Sequence, residues 1–119
     1  MNILAIVWQP NEHWRALGAT QQLAYLRSLD TPINSARAAG MVVLGWSEID
    51  SRVPRSPTGS FVGVFGVRDA QQVLELEQAV AQTDWYQYFD STNISARLQG
   101  INEGEPHRVY ARLLDLQAD

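Results

Sequence analysis

Between Met41 and Val67 the chain reads Met-Val-Val-Leu-Gly-Trp-Ser-Glu-Ile-Asp, then Ser-Arg-Val-Pro-Arg-Ser-Pro-Thr-Gly, then Ser-Phe-Val-Gly-Val-Phe-Gly-Val. Two β-rich runs flank a polar segment carrying two prolines and a glycine, the pattern of a hairpin with a long connection. A lone pair of strands is marginal in water, so it needs further strands and a cover for one face. The rest of the chain supplies both.

Upstream, Asn2 to Trp8 reads as a strand whose apolar residues are consecutive rather than alternating. Both of its faces should therefore be covered. Pro10 is expected to end it. A short helix is expected over Asn11 to Leu17, closed by Gly18. Thr20 can cap the next helix, which carries Leu23, Leu26, Ile33 and Ala36 near helical spacing and stops at Gly40. Pro32 interrupts this run. Either it kinks one helix or Thr31 caps a second one; the spacing predicts one kinked helix.

Downstream, Asp69 is an N-cap with Gln72 three residues on, a capping-box arrangement. Ala70, Val73, Leu76 and Val80 then form one apolar stripe of a helix running to about Thr83. Asp84 to Phe89 is a short aromatic turn. Asn93 to Ile101 alternates apolar and polar residues as a strand does. Past a turn at 102–105, Pro106 opens an amphipathic helix with Val109, Tyr110, Leu113, Leu114 and Leu116. The order is β-α-β-β-α-β plus a tail over 102–119. It predicts one α+β domain over 1–119, ferredoxin-like, with a four-stranded antiparallel sheet and its helices on one face.

Composition removes several chemistries. Thirteen acidic residues against nine basic ones leave a net charge of −4. All the basic residues are arginine, so no lysine is present for a Schiff base. No cysteine is present for a disulfide, thiolate or thiolate-metal site. An acidic chain without a basic cluster is not a general nucleic-acid binder. His13 and His107 lie far apart, and no pattern of metal-ligand spacing joins them. The glycines of Gly59 to Gly66 lack the Gly-Lys-Ser/Thr of a phosphate loop, and no Gly-x-Ser-x-Gly elbow occurs. No metal and no cofactor is expected. The apolar run Ile3 to Trp8 lacks a basic flank and is too short for a signal-peptide core or a membrane span. The expectation is a cytoplasmic protein with no membrane partner.

The pieces Leu44-Gly45-Trp46 and Trp85-Tyr86-Gln87-Tyr88-Phe89, with Asn93 after them, give the stretch 2–101 a family look. It resembles the dimeric α+β barrel superfamily, in a bacterial branch near the YCII-like and antibiotic-biosynthesis monooxygenase-like proteins. The resemblance implies a homodimer that pairs two sheets, and a ligand pocket between each sheet and its own helices. Members differ widely in chemistry, so the fold alone does not assign a reaction.

The candidate site residues follow from what the chain has left. His13, just past the first strand, is the candidate general base; its plain alternative is a surface histidine. His107 sits at a helix start, where its charged form is disfavoured. Trp14, Tyr25, Trp46, Trp85 and Tyr88 have apolar bodies and polar tips suited to a planar organic ligand; their plain alternative is core packing. Trp46 is expected to share a strand face with Val42 and Leu44. Phe61 and Phe65 share one face of the next strand and read as core or dimer packing. Arg52, in the hairpin loop, is a candidate for an acidic ligand group. Near Glu48, Asp50 and Arg55 its plainer reading is as part of a solvated ion-pair cluster. The sheet face carrying Val62, Val64 and Ile101 predicts homodimerisation. Three functions stay open: binding a small planar or hydrophobic organic molecule, a cofactor-independent monooxygenase or isomerase, and a structural dimer module without ligand.

Overall fold

The computed structural model describes residues 1–102, 104 and 107–117. Its strands are β1 (Asn2–Pro10), β2 (Val42–Glu48), β3 (Phe61–Val67) and β4 (Phe89–Arg97). Its helices are α1 (Glu12–Arg15), α2 (Ala19–Ser28), α3 (Asp30–Ala38), α4 (Ala70–Ala81), α5 (Trp85–Tyr88) and α6 (His107–Gln117). The sheet order is β2-β3-β1-β4, and every pairing is antiparallel. With this order the chain is a ferredoxin-like α+β fold. The turn expected over 102–105 and the helix start expected at Pro106 fall partly outside the described residues.

β1 is a central strand, which explains its consecutive apolar residues. Leu4, Ile6 and Trp8 point toward the helices, while Ile3, Ala5 and Val7 point to the opposite face. Pro10 ends the strand as its last residue, two beyond Trp8, and pairs with Phe89 of β4. The β3 pairing has already stopped at Trp8↔Phe61, so the missing proline N–H breaks no bond on that side. β4 starts at Phe89, four residues earlier than the alternation at Asn93 suggests.

The expected kinked helix is two helices. Gly18, not Thr20, is the N-cap of α2, and the Gln21 side-chain oxygen accepts the Gly18 N–H at 3.1 Å. α2 stops at Leu29 and α3 begins at Asp30, which puts Pro32 in the first turn of α3. Backbone N–H groups there have no helical acceptor, so proline costs nothing. α3 ends as the sequence predicts. Gly40, at φ +103°, donates to the Arg37 carbonyl, and Met41 N–H donates to Ala36 at 3.0 Å. This Schellman closure turns the chain so that Met41 enters the core.

Asp69 caps α4 by accepting Gln72 N–H at 2.8 Å. The Gln72 side chain is buried and reaches elsewhere: it accepts Arg68 N–H and donates to the Ala39 carbonyl at 3.0 Å. It thereby ties the start of α4 to the end of α3. The core between helices and sheet comprises Leu4, Ile6, Met41, Phe65, Val67, Val73 and Leu76, with Trp8, Ile33, Ala36 and Val43 against it.

The phase of β2 corrects the sequence reading. Its register slips between Val43 and Gly45, so Val43 faces Phe65 while Trp46 faces Gly63. An extra residue in one strand reverses the faces beyond it. Trp46 therefore lies with Val43 on the helix side of the sheet, not with Val42 and Leu44. Val42 and Leu44 are exposed instead.

Candidate functional site

A cavity of about 250 Å³ lies between the sheet and the helices. Ile6 and Trp8 of β1, Trp46 of β2 and Phe65 of β3 form one wall, with Met41 beside them. Leu26, Leu29, Pro32 and Ile33 from α2 and α3 form the second, and Leu76, Ala79, Val80, Thr83 and Trp85 the third. The volume lies between the ~150 Å³ that holds a benzene-sized molecule and the ~300 Å³ at which drug-sized pockets begin.

The aromatic wall is built around Trp8. Its ring centroid lies 5.2 Å from Trp85 and 6.1 Å from Trp46, both edge-on, and 5.9 Å from Phe61 in a stack. Trp46 meets Phe65 edge-on at 5.0 Å. Gly63 makes this possible: a Cβ there would sit 2.7 Å from the Trp46 ring. The glycine thus leaves the space into which the tryptophan folds across the sheet. Trp85 is 8% exposed and forms the inner end, whereas Trp46, on an edge strand, is 51% exposed and forms the rim.

Two polar groups at the cavity are already committed. Trp85 Nε1–H donates to Ser91 Oγ at 2.7 Å, and Thr83 Oγ1 donates to the Val80 carbonyl at 2.7 Å. The Tyr25 hydroxyl lies 3.4 Å from Thr83 Oγ1. Loss of water around Tyr25 raises its pKa above the ordinary phenol value, with the Thr83 hydrogen bond opposing. No lining residue carries a charge.

The candidate residues separate into four places. Trp46 and Trp85 line the cavity. Tyr25, Trp14 and Tyr88 form a second aromatic cluster with Phe89; Tyr25 and Tyr88 are 4.8 Å apart, Trp14 and Phe89 4.9 Å. Phe89 lies 4.3 Å from Trp85 and joins the clusters. His13 belongs to an open surface depression with Gln9, Asn11, Glu12, Arg15, Tyr86, Gln87 and Asp90. That depression shares no residue with the cavity. Arg52 lies on the exposed loop, where its Nε and Nη2 form a two-pronged ion pair with Asp50, at 2.7 Å from Nη2. Among the described residues no group of three or more histidines or carboxylates gathers at metal-binding distance.

Asn11 explains where His13 goes. Its side-chain oxygen caps α1 by accepting the N–H groups of His13 and Trp14, and its amide donates to the Gln87 carbonyl at 2.9 Å. α1 is thus pinned beside α5, outside the layer of helices that covers the sheet. Trp8 is the lining residue that the sequence reading left out. Its phase with Leu4 and Ile6 along β1 is the signal that assigns it to the same face.

Fold and cavity together define a ferredoxin-like α+β domain with an apolar chamber between sheet and helices. Residues 1–107 match the "Family of unknown function (DUF6616)", and the chain belongs to that family. A search of curated proteins finds no match. Among solved structures, the chain is similar to an amidase of the hydantoinase/carbamoylase family from Burkholderia phymatum. The identity is 13% and the TM-score 0.41, over 82% of this chain and 28% of that one. It is also similar to "a putative antibiotic biosynthesis monooxygenase" from Deinococcus radiodurans. There the identity is 17% and the TM-score 0.44, over 83% of this chain and 93% of that one. The chain spans little more than a quarter of the amidase. At identities and scores this low neither protein bears on what this chain does, and the fold assignment rests on the strand order. No helix among the described residues is long and apolar enough to cross a membrane.

Proposed function

We propose that this chain is a cytoplasmic, single-domain homodimer of the dimeric α+β barrel superfamily. It binds a small, uncharged, largely apolar organic molecule in the cavity between sheet and helices. The observation that carries the reading is the cavity's lining. Fourteen residues surround about 250 Å³, none of them charged, and the Trp85 indole and the Thr83 hydroxyl at its margin already have partners. An ionised ligand would lose its hydration there and find no opposite charge in exchange. A flat ligand of one or two rings matches the size and the edge-on aromatic wall.

Homodimerisation is supported by the opposite sheet face. Ile3, Ala5 and Val7 of β1, Val62 and Val64 of β3, and Ile94 and Ala96 of β4 all point there. Among the described residues no element packs over them. Apolar patches of several hundred Å² mark interaction surfaces more often than free ones.

Three of the four tryptophans, Trp8, Trp46 and Trp85, border the cavity, so intrinsic fluorescence reports its occupancy. Titration with neutral phenols, quinones and lactones is expected to give a saturable change in emission. Benzoate and other anions of the same size are expected to give none. If no neutral compound alters the emission, the binding reading fails and the aromatic wall is plain core.

A further inference from the structure

We infer that α6 is an arm that docks on a second copy of this chain, against the margin of the paired sheet faces. This rests on the homodimer proposed above and goes beyond it by assigning the C-terminal helix to the interface. On a helical projection at about 100° per residue, Val109, Tyr110, Leu113, Leu114 and Leu116 fall within one arc of roughly 160°. Arg108, Arg112 and Asp115 occupy the opposite side. All five apolar side chains are between 52% and 65% exposed. None of the described elements packs along the helix.

Such a helix does not stand by itself. Eleven residues is below the ~12–15 at which isolated helices are even marginal in water, so its order must come from a surface it lies on. Its own subunit is not that surface in this conformation. The chain measures 52 Å along its longest axis, with a radius of gyration of 16.9 Å. A compact chain of this length has about 13–14 Å. The helix therefore extends the molecule rather than closing it.

The area argument selects a second copy as the occupant. Four strands about 4.8 Å apart, each about seven residues long at ~3.3 Å rise, give the sheet a footprint of roughly 400 Å². A stable interface takes about 800 Å² from each partner. Counted as a flat footprint, the sheet face by itself supplies about half of that. An arm of eleven residues at ~1.5 Å rise and ~10 Å breadth adds roughly 160 Å², and a two-fold axis counts it twice for each copy, as arm given and as arm received. The total comes to roughly 700 Å² per copy, close to what is required. Position agrees as well: α6 follows β4, an edge strand whose Ile94 and Ala96 already belong to the unpartnered face.

Sedimentation equilibrium of the full chain, Leu113→Asp, Leu113→Met and Val64→Asp tests the inference. The full chain is expected at twice 13.3 kDa. Leu113→Asp is expected to raise the dimer dissociation constant at least ~10-fold, which is about 1.4 kcal/mol, while Leu113→Met retains the dimer. Because no described element of its own subunit packs along α6, the thermal transition of diluted Leu113→Asp should match that of the diluted full chain. Should Leu113→Asp dimerise as tightly as the full chain while Val64→Asp does not, the arm inference is overturned and the sheet-face homodimer stands. A full chain that stays monomeric overturns both. In that case a lowered melting temperature for Leu113→Asp places the arm on its own sheet, and an unchanged one assigns it to a different partner.

Discussion

The cavity behind Trp46 and the depression beside His13 divide between them what an enzyme site would combine. The cavity is apolar and aromatic and carries no charged group. The depression holds an imidazole, two carboxylates, a guanidinium and a phenol, yet lies open to water. α5 is the divider: it turns Trp85 into the cavity and Tyr86 and Gln87 toward the depression. General acid–base catalysis needs the titrating group within hydrogen-bond reach of the bound molecule. Here shape and proton chemistry sit on opposite sides of one short helix. The comparison favours a binding protein over a cofactor-independent monooxygenase or isomerase, and it can be broken from either side.

The largest effect is expected at Trp85. Its ring is buried, contacts Trp8 and Phe89, and places its N–H on Ser91. Trp85→Ala should destabilise the fold by about 3–5 kcal/mol in urea titration and abolish any ligand-linked emission change. A loss below about 1 kcal/mol would mean the inner wall collapses without cost and the cavity is not a fixed feature. Gly63→Val comes next. Valine ordinarily favours a strand, but here its Cβ meets the Trp46 ring at 2.7 Å. Overpacking of this kind typically costs about 1–3 kcal/mol, and the displaced rim should weaken ligand binding. A stabilised Gly63→Val protein would show that Trp46 moves freely and forms no rim. Trp46→Ala should cost less, about 1–2 kcal/mol, because half the ring already faces water, while its effect on ligand affinity should exceed that of Gly63→Val.

A smaller, pH-dependent effect belongs to the phenols. Loss of water around Tyr25 and Tyr86 raises both pKa values above 10.0. For Tyr86, donation from Asn93 opposes the shift and the neighbouring Glu77 adds to it. In the unfolded chain both ionise at the ordinary value, so the folded state holds protons that the unfolded state has lost. Their contribution is fully present below pH 10.0 and disappears as pH rises through the raised folded values. Melting curves above about pH 10 should fall, and Tyr25→Phe should flatten that fall. An unchanged alkaline slope in Tyr25→Phe would assign the effect to Tyr86 alone.

The parts of this molecule legible in the sequence are those fixed by local pattern. The hairpin over 41–67, the Asp69 cap and the glycine stop at Gly40 follow from period-two runs and turn residues, and so does the strand order they imply. The cavity was half legible. That aromatic side chains gather between sheet and helices follows from composition and fold, but which of them do so depends on phase. One extra residue before Gly45 moved Trp46 to the helix face, and a glycine inside a strand was the only signal of it. Trp8 went unassigned because β1 is apolar on both faces and its alternation is invisible. Tyr25, Trp14 and Tyr88 sit on helical segments whose rotation is set by contacts distant in sequence, and these turn Tyr25 and Trp14 to Phe89, and Tyr88 to both of them, rather than to the cavity. The split at Leu29 was one of the two readings Pro32 allowed, because proline fits either a kink or the first turn of a new helix.

The smallest expected effect is the one that bears hardest on the comparison. His13 lies two residues past the cap residue Asn11, to which it donates only its backbone N–H, and its side chain faces the open depression. Removing an exposed side chain away from such features changes stability by no more than about 0.5 kcal/mol. His13→Ala should therefore melt with the unaltered chain and bind neutral aromatic compounds with the same affinity. A positioned general base, by contrast, contributes about 10²–10⁴-fold to a rate. If any turnover of a phenol, quinone or lactone is found and His13→Ala reduces it by that factor, proton transfer is reaching the cavity from the far side of α5. The separation of shape from chemistry would then be a property of the unliganded fold only, and α1 with its Asn11 anchor would be the element that moves. If turnover is found and survives His13→Ala, the apolar chamber itself activates the substrate, and Trp8, Trp46 and Trp85 become the residues to vary.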